Sequence, residues 1–319
     1  MKKILCVLMS CLLFVMAGCS GHSKNLKFGA ADIGGVYYSF ASTFTQLADK
    51  EIDGYTFETK TTAGSVANLR LISDGYIDLA IAQADLLSDA YNATGTFADK
   101  KYQKGYKAVA SLYTEACQIV VPADSDIQSM DDLEGKKVCI GASESGSEKN
   151  AEQILKMSGI TDELINKVNM DYTEAAEKLK AGEIDAFFCT AGTRTEVIGQ
   201  LSKECDICLI SLDDKCIDKM LSAYSLCEKY TIPAGTYNGQ DSDVTTIGVK
   251  AVLIAKQSLS DDVIKNVTKT IYEHADDFKY ATSLDISFDI NTAADGVDIP
   301  FHSGAAAYYT ERGINVLTE

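Results

Sequence analysis

The chain has 319 residues, 46% of them apolar, which is enough for a full core in one large domain or two smaller ones. Its formal charge is −17, from 46 acids against 29 Lys and Arg, and this balance disfavours nucleic acid and anionic lipid surfaces as partners, since both need clustered bases.

The first residues, MKKILCVLMSCLLFVMAGCSGHS, place Lys2 and Lys3 ahead of an apolar run that ends at Ala17 and Gly18, the layout of an export signal. Met16-Ala17-Gly18-Cys19 resembles a bacterial lipobox, so residues 1–18 are expected to be removed and Cys19 to carry lipid, with 19–25 as a tether. The competing reading is an ordinary cysteine beside a soluble-export cleavage site. No other stretch approaches the ~18 apolar residues that span a bilayer, so the membrane tie is expected to be this anchor alone, on the outer side of the cell membrane or in the periplasm.

From residue 27 the chain echoes itself. KFGAADIGG (27–35) aligns with CIGASESGS (139–147), and GYIDLAIAQA (75–84) with GEIDAFFCTA (182–191), which puts Gln83 and Thr190 in equivalent places. Two echoes in the same order predict one kind of α/β lobe built twice. Short apolar strands alternate with helices expected at 36–50, 65–74 and 84–92 in the first copy and at 147–158, 173–181 and 194–203 in the second, the rhythm of helix-covered parallel sheets.

Ligands of such sheets gather beyond the carboxyl ends of the strands, where the next helices begin. In AADIGGVYYSF, Gly34 and Gly35 let a bound group approach the backbone, and helix-start amides there favour an anion. The second loop repeats the device with Ser145, Gly146 and Ser147, where Ser145 and Glu148 have capping-box spacing. TTAGSVANL supplies Gly64 and Ser65, and CTAGTRTEV supplies Thr193 and Glu196, again at capping-box spacing. Each feature alone is read as a helix cap; the four together predict a cleft for a small anionic ligand. Tyr37 is favoured over Tyr38 as cleft wall. Arg194 falls inside a candidate ligand loop, where a fork-shaped pairing with a carboxylate and an exposed loop arginine both stay open. Asp32 and Glu144 are the nearest cleft acids, suited to act as a pair or to bind an ammonium group.

Seven cysteines follow Cys19, an odd number, so at least one is unpaired within a monomer; Cys139 and Cys189 sit in apolar runs and read as buried thiols. Cys205 and Cys208 have redox spacing but open no helix. With only His22, His274 and His302 in the chain, none near the cysteines, no metal site is expected and no cofactor is implied. Residues 212–245 show little periodicity, and GTYNGQDSD reads as a surface loop without an EF-hand pattern.

GGVYY, TTAGSVANLRLI, IDLAIAQAD, GASESGS, GEIDAFFCTAG, IPAGTYNGQDSDV and PFHSGAAAYY together resemble the TAXI receptors, the TRAP-transporter-associated extracytoplasmic solute-binding family, over nearly the whole mature chain. The resemblance implies a type II periplasmic-binding-protein fold: two similar lobes with parallel-rich sheets, joined by a two-stranded hinge, closing like a flytrap on a solute and handing it to an ion-coupled TRAP permease. It implies a glutamate-, glutamine- or 2-oxoglutarate-like carboxylate as the small anionic or zwitterionic solute. Carried over by position, the contacts would come from Gly35, Tyr37, Gly64, Ser65 and Gln83 in one lobe, and from Ser145, Gly146, Ser147, Thr190, Ala191, Gly192 and Thr193 in the other. By that fold, lobe 1 is expected to hold 25–120 plus 250–319 and lobe 2 residues 121–249, with YTEACQIVVP and TTIGVKAVLI pairing as hinge strands. A sensor read by a signalling partner is the alternative. An enzyme is not expected, since the cleft loops offer hydroxyls without a nearby histidine.

Overall fold

The computed structural model describes residues 23–99, 105–283 and 288–319, so the expected export signal and Cys19 lie outside the described residues. The chain opens with β1 (Lys24–Gly29), α1 (Val36–Glu51), β2 (Tyr55–Lys60), α2 (Ser65–Ser73), β3 (Leu79–Gln83) and α3 (Ala84–Asn92). The long strand β4 (Tyr106–Pro122) follows. The pattern then repeats as β5 (Lys137–Cys139), α4 (Gly146–Ser158), β6 (Asn166–Val168), α5 (Tyr172–Lys180), β7 (Ala186–Ala191) and α6 (Glu196–Glu204). After β8 (Ile207–Leu209), α7 (Asp214–Ala223) and β9 (Cys227–Ile232), the second long strand β10 (Val244–Lys256) leads to α8 (Asp261–Glu273), α9 (Ala275–Thr282) and α10 (Ser303–Thr310). All six helices expected from the two copies form, with ends within two residues of those read from the sequence.

Strand order is β2-β1-β3-β10-β4-β7-β5-β6, with β9 on β10 and β8 on β4. Read from either edge, the order is the same: β2-β1-β3-β10 from one side and β6-β5-β7-β4 from the other, which is the internal repeat of the sequence expressed as topology. Pairing within each outer set is parallel, with β1 between β2 and β3 and β5 between β6 and β7. β4 and β10 run antiparallel to each other from Gly248 opposite Ala116 to Lys256 opposite Tyr106, and each also carries an outer set on its far edge. These are the two strands expected as the chain crossings.

Alternation along the strands feeds two cores. On β7, Phe187 joins the larger cluster around Phe28, Phe40 and Phe278, whereas its neighbour Phe188 joins a second cluster with Ile119, Ile154 and Ile217, because successive strand side chains point to opposite faces. Phe40 stacks on Phe278 with ring centroids 4.5 Å apart, tying α1 to α9.

Residues 212–245 correct the sequence reading. Asp213 caps α7 by accepting a hydrogen bond from the Cys216 amide at 2.6 Å, and the helix buries Cys216, Ile217 and Met220. Three apolar positions among Asp and Lys are too few to reveal a period. The GTYNGQDSD loop is mostly surface, yet Tyr237 turns inward and is 5% exposed. All seven described cysteines are free thiols; Cys139 and Cys189 are buried as expected, and Cys208 is exposed.

Candidate functional site

β1, β3, β5 and β7 deliver their carboxyl ends to one region, and α1, α3 and α4 start there. Asn68 of α2, fully buried, sets the geometry of the first set. Its amide donates to the carbonyls of Ala30 (2.6 Å), Ile81 (2.9 Å) and Gly29 (3.3 Å), and its oxygen accepts from the Thr62 hydroxyl at 2.8 Å. The ends of β1 and β3 are thereby fixed to each other and to the loop before α2.

Between the loops lies a cavity of about 460 Å³, part of it open to solvent. Ten of the sequence-predicted residues line it: Gly35, Tyr37, Gly64, Ser65, Gln83, Ser145, Gly146, Ser147, Thr190 and Ala191. Gly192, Thr193 and Arg194 do not. Arg194 adopts a left-handed backbone (φ 67°) and its side chain is exposed. The expected Thr193–Glu196 capping box is absent as well, because Thr195 takes the cap position and its hydroxyl donates back to the Gly192 carbonyl at 2.6 Å. Tyr237 holds this turn from behind: its hydroxyl donates to Gln118 and accepts from the Thr195 amide at 3.2 Å.

Helices α1, α2 and α3 begin at Gly35, Gly64 and Gln83 without any side-chain cap, whereas Ser145 and Asp171 cap α4 and α5 through the amides of Glu148 and Glu174. The second half of the Ser145–Glu148 box is shifted by one residue, with the Glu148 carboxylate accepting from the Glu144 amide at 3.0 Å. Uncapped helix starts leave amides and the positive dipole end for a ligand, although in α2 the Ala67 amide is taken by the Glu144 carbonyl, and in α3 Asp85 accepts from first-turn amides.

The two halves use the same chemistry with the helices exchanged. Ser65 of α2 accepts from the Gln83 amide at 3.1 Å and lies 3.5 Å from the Tyr37 hydroxyl of α1. Ser147 of α4 accepts from the Thr190 amide at 2.8 Å and lies 2.6 Å from the Tyr172 hydroxyl of α5. Tyr172 is thus the counterpart of Tyr37, and its hydroxyl donates to the Thr190 carbonyl at 2.9 Å. Tyr37, 6% exposed, lines the cavity as expected, and Tyr38 does not. Burial raises Tyr37 and Tyr172 well above the ordinary phenol range, so both act as neutral hydroxyls. Among the described residues the buried Gln83 Oε1 has no hydrogen-bond partner, and the buried Thr190 hydroxyl lies beside the Cys117 thiol.

Residues absent from the sequence-predicted contact set also line the cavity: Asp32, Glu115, Asp171 and Tyr172. Asp32 is one of the two cleft acids expected from the sequence. Its carboxylate accepts from the Tyr172 amide at 3.1 Å, and burial with the nearby Asp171 charge raises it from the usual range. Glu144, the proposed partner of Asp32, instead turns to Arg70 in a two-pronged pair at 3.2 and 2.6 Å while its carbonyl accepts from the Ala67 amide at 3.0 Å. Those contacts and the Asp32–Tyr172 bond fasten α2 and the β1–α1 loop of the first half to α4 and α5 of the second. Among the described residues, none that lines the cavity is Lys, Arg or His.

Gly146 sits against the end of the Gln83 side chain: a Cβ there would lie 2.4 Å from Gln83 Cδ and Oε1. Gly146→Ala is expected to leave Tm within about 2 °C, because Ala suits a helix start and Gln83 can swing away. The displaced amide is expected to cost about tenfold or more in solute affinity, read by titration calorimetry. Unchanged affinity would remove Gln83 from the contact set.

Solved structures with the same fold include a periplasmic transporter (15% identity, TM-score 0.55, covering 81% of this chain and 86% of that one). A putative L-cystine ABC transporter from Listeria monocytogenes (16%, TM-score 0.51, 82% and 94%) and an ancestral arginine-binding protein bound to arginine (16%, TM-score 0.51, 82% and 98%) are similar in the same way. At such identities the likeness concerns the fold, the two-lobed flytrap architecture. The NMT1-like family model matches residues 28–313, from the end of β1 to past α10, and the chain therefore belongs to the NMT1-like family.

Proposed function

We propose that this chain is an extracytoplasmic solute-binding receptor of the TAXI kind, which closes on a small carboxylate and delivers it to a TRAP-type ion-coupled permease. Residues 25–120 with 250–319 form one jaw and 121–249 the other, and lipid on Cys19 keeps the receptor at the membrane. The observation that carries this reading is the cavity itself: helix starts from both halves converge on it, three of them uncapped, with paired Tyr–Ser hydroxyls on either side. Such a surface holds a carboxylate by backbone amides and hydroxyls without needing an arginine. Arg194, exposed and outside the lining, has no part in it.

A thermal-shift screen of lipid-free protein, refolded to strip carried-over solute, tests the reading against glutamate, glutamine, 2-oxoglutarate, C4 dicarboxylates, neutral amino acids and sugars. A solute at a hundred times its dissociation constant is expected to add about 2.7 kcal/mol, a rise of a few degrees in Tm. The expected result is stabilisation by carboxylates and not by sugars, retained in Arg194→Ala. Stabilisation by sugars alone would sink the carboxylate assignment. Uptake into vesicles holding a TRAP permease, dependent on added receptor, tests delivery.

A further inference from the structure

Most of the cavity wall is neutral, but one buried acid reaches it from the strand that both halves share. Glu115 is 3% exposed, sits on β4 opposite Val249 of β10, and accepts a hydrogen bond from the Tyr37 hydroxyl at 2.8 Å. The other acids of the lining are committed elsewhere: Asp32 is half-buried and accepts from the Tyr172 amide, and Asp171 is exposed and caps α5.

We propose that Glu115 is the nitrogen-recognising residue of the cleft, so that the receptor selects solutes bearing an ammonium group beside the carboxylate and releases a proton from Glu115 as each one binds. The proposal rests on the receptor reading of the cavity and specifies the class of solute within it.

Among the described residues, none that faces Glu115 carries a positive charge. Tyr37 faces it from α1, Gln83 and Asp85 from the β3–α3 junction, Tyr113 from its own strand, Tyr172 from α5 and Cys189 from β7. Val249 is the residue opposite on β10, and Asp32 and Asp171 complete the charged groups of the cavity wall. Burial, with Asp85 adding to it, pushes the Glu115 carboxyl up to about 8 despite hydrogen bonds from Tyr37 and Gln83. At neutral pH the empty cleft therefore holds Glu115 mainly as the acid. An arriving ammonium group provides the missing countercharge: the carboxyl O–H bond breaks, the proton leaves to solvent, and the carboxylate accepts an N–H from the solute. A nitrogen-free acid such as 2-oxoglutarate offers no such charge and would require Glu115 to keep its proton as a donor, which reverses the pH dependence.

The test is calorimetry of the stripped protein with glutamate and 2-oxoglutarate, which differ by amino against oxo on one carbon skeleton. Titrations run from pH 6 to 8.5 in buffers of different ionisation enthalpy. Glutamate affinity is expected to rise by about tenfold per pH unit up to about pH 8 and then level off, with close to one proton released at pH 6.5. Glu115→Gln is expected to flatten that slope and weaken glutamate by more than about tenfold, with 2-oxoglutarate weakened less. The proton count comes from the unaltered protein and stands even if the variant folds poorly. A flat slope, a slope rising toward acid, or binding confined to nitrogen-free acids would overturn the proposal while leaving the receptor reading intact. Absence of binding by any carboxylate, amino or oxo, would overturn both.

Discussion

Asn68→Asp is expected to lower the unfolding free energy by about 4 kcal/mol, although the two side chains have almost the same shape. Asn68 is fully buried and its amide serves carbonyls at the ends of β1 and β3. The substitution removes both N–H donors and turns carboxyl oxygens toward those three carbonyls. Ionised, the group is repelled and desolvated; protonated, it can serve one carbonyl, and the Thr62 hydroxyl, 2.9 Å from the Ala30 carbonyl, can serve one more, which leaves at least one bare. Each unsatisfied buried acceptor costs about 1 kcal/mol or more, and the desolvated carboxyl adds to that. Urea denaturation should show the midpoint falling at unchanged slope. A loss below about 1 kcal/mol would mean that the strand ends are held by something other than this amide.

Gly64→Val is expected to fail in two separable ways. Gly64 has φ 120° and ψ −149°, a region open almost only to glycine, so any side chain there costs about 1–3 kcal/mol of strain. In addition, a Cβ at Gly64 would already touch Ser145 Cα at 3.4 Å and Ser145 Cβ at 3.5 Å, across the cleft. The branches of valine extend beyond that contact into the start of α4, so the halves cannot approach as they do here. Solute affinity is expected to drop at least ~100-fold, about 2.7 kcal/mol. Gly64→Ala separates the effects: similar strain, but an ordinary van der Waals contact, hence a comparable loss of Tm with binding largely kept. Equal affinity in the valine variant and the native protein would show that the Gly64–Ser145 approach is not needed for capture.

How much could be read beforehand depended on how local the signal was. Glycines, small polar residues and strand-to-helix transitions identified the loops that line the cavity, because a helix start is written in three or four adjacent residues. The sequence echoes around residues 27 and 139 and around 75 and 182 became the mirrored strand order, since a repeated supersecondary unit repeats its pairing. Tyr172 escaped because its role exists only relative to Ser147 and Thr190, residues of other elements. Glu115 left a trace, a lone acid within the apolar run YTEACQIVVP, but that segment read as a hinge strand rather than cavity wall. For Arg194 the residue type pointed to an anion, whereas the left-handed turn around it, stabilised by Thr195 and Tyr237, sends the side chain to solvent. Side-chain direction in a loop depends on such distant braces, which composition does not contain.

The exchanged Tyr–Ser pairs make the cage nearly two-faced: Tyr37 with Ser65 on one side answers Tyr172 with Ser147 on the other. The hydroxyls alone give an elongated guest little reason to lie head-first or tail-first, so its sense depends on what differs between the walls, such as the uncapped starts of α1, α2 and α3 against the capped α4 and α5. The strands at its axis differ too, for β4 brings Glu115 and β10 brings Val249 to the same level, and of the two only Glu115 lines the cavity. On the proposed role of Glu115, the sense in which a solute lies would follow from this acid on the shared strand, which has only a core valine at the matching register of β10.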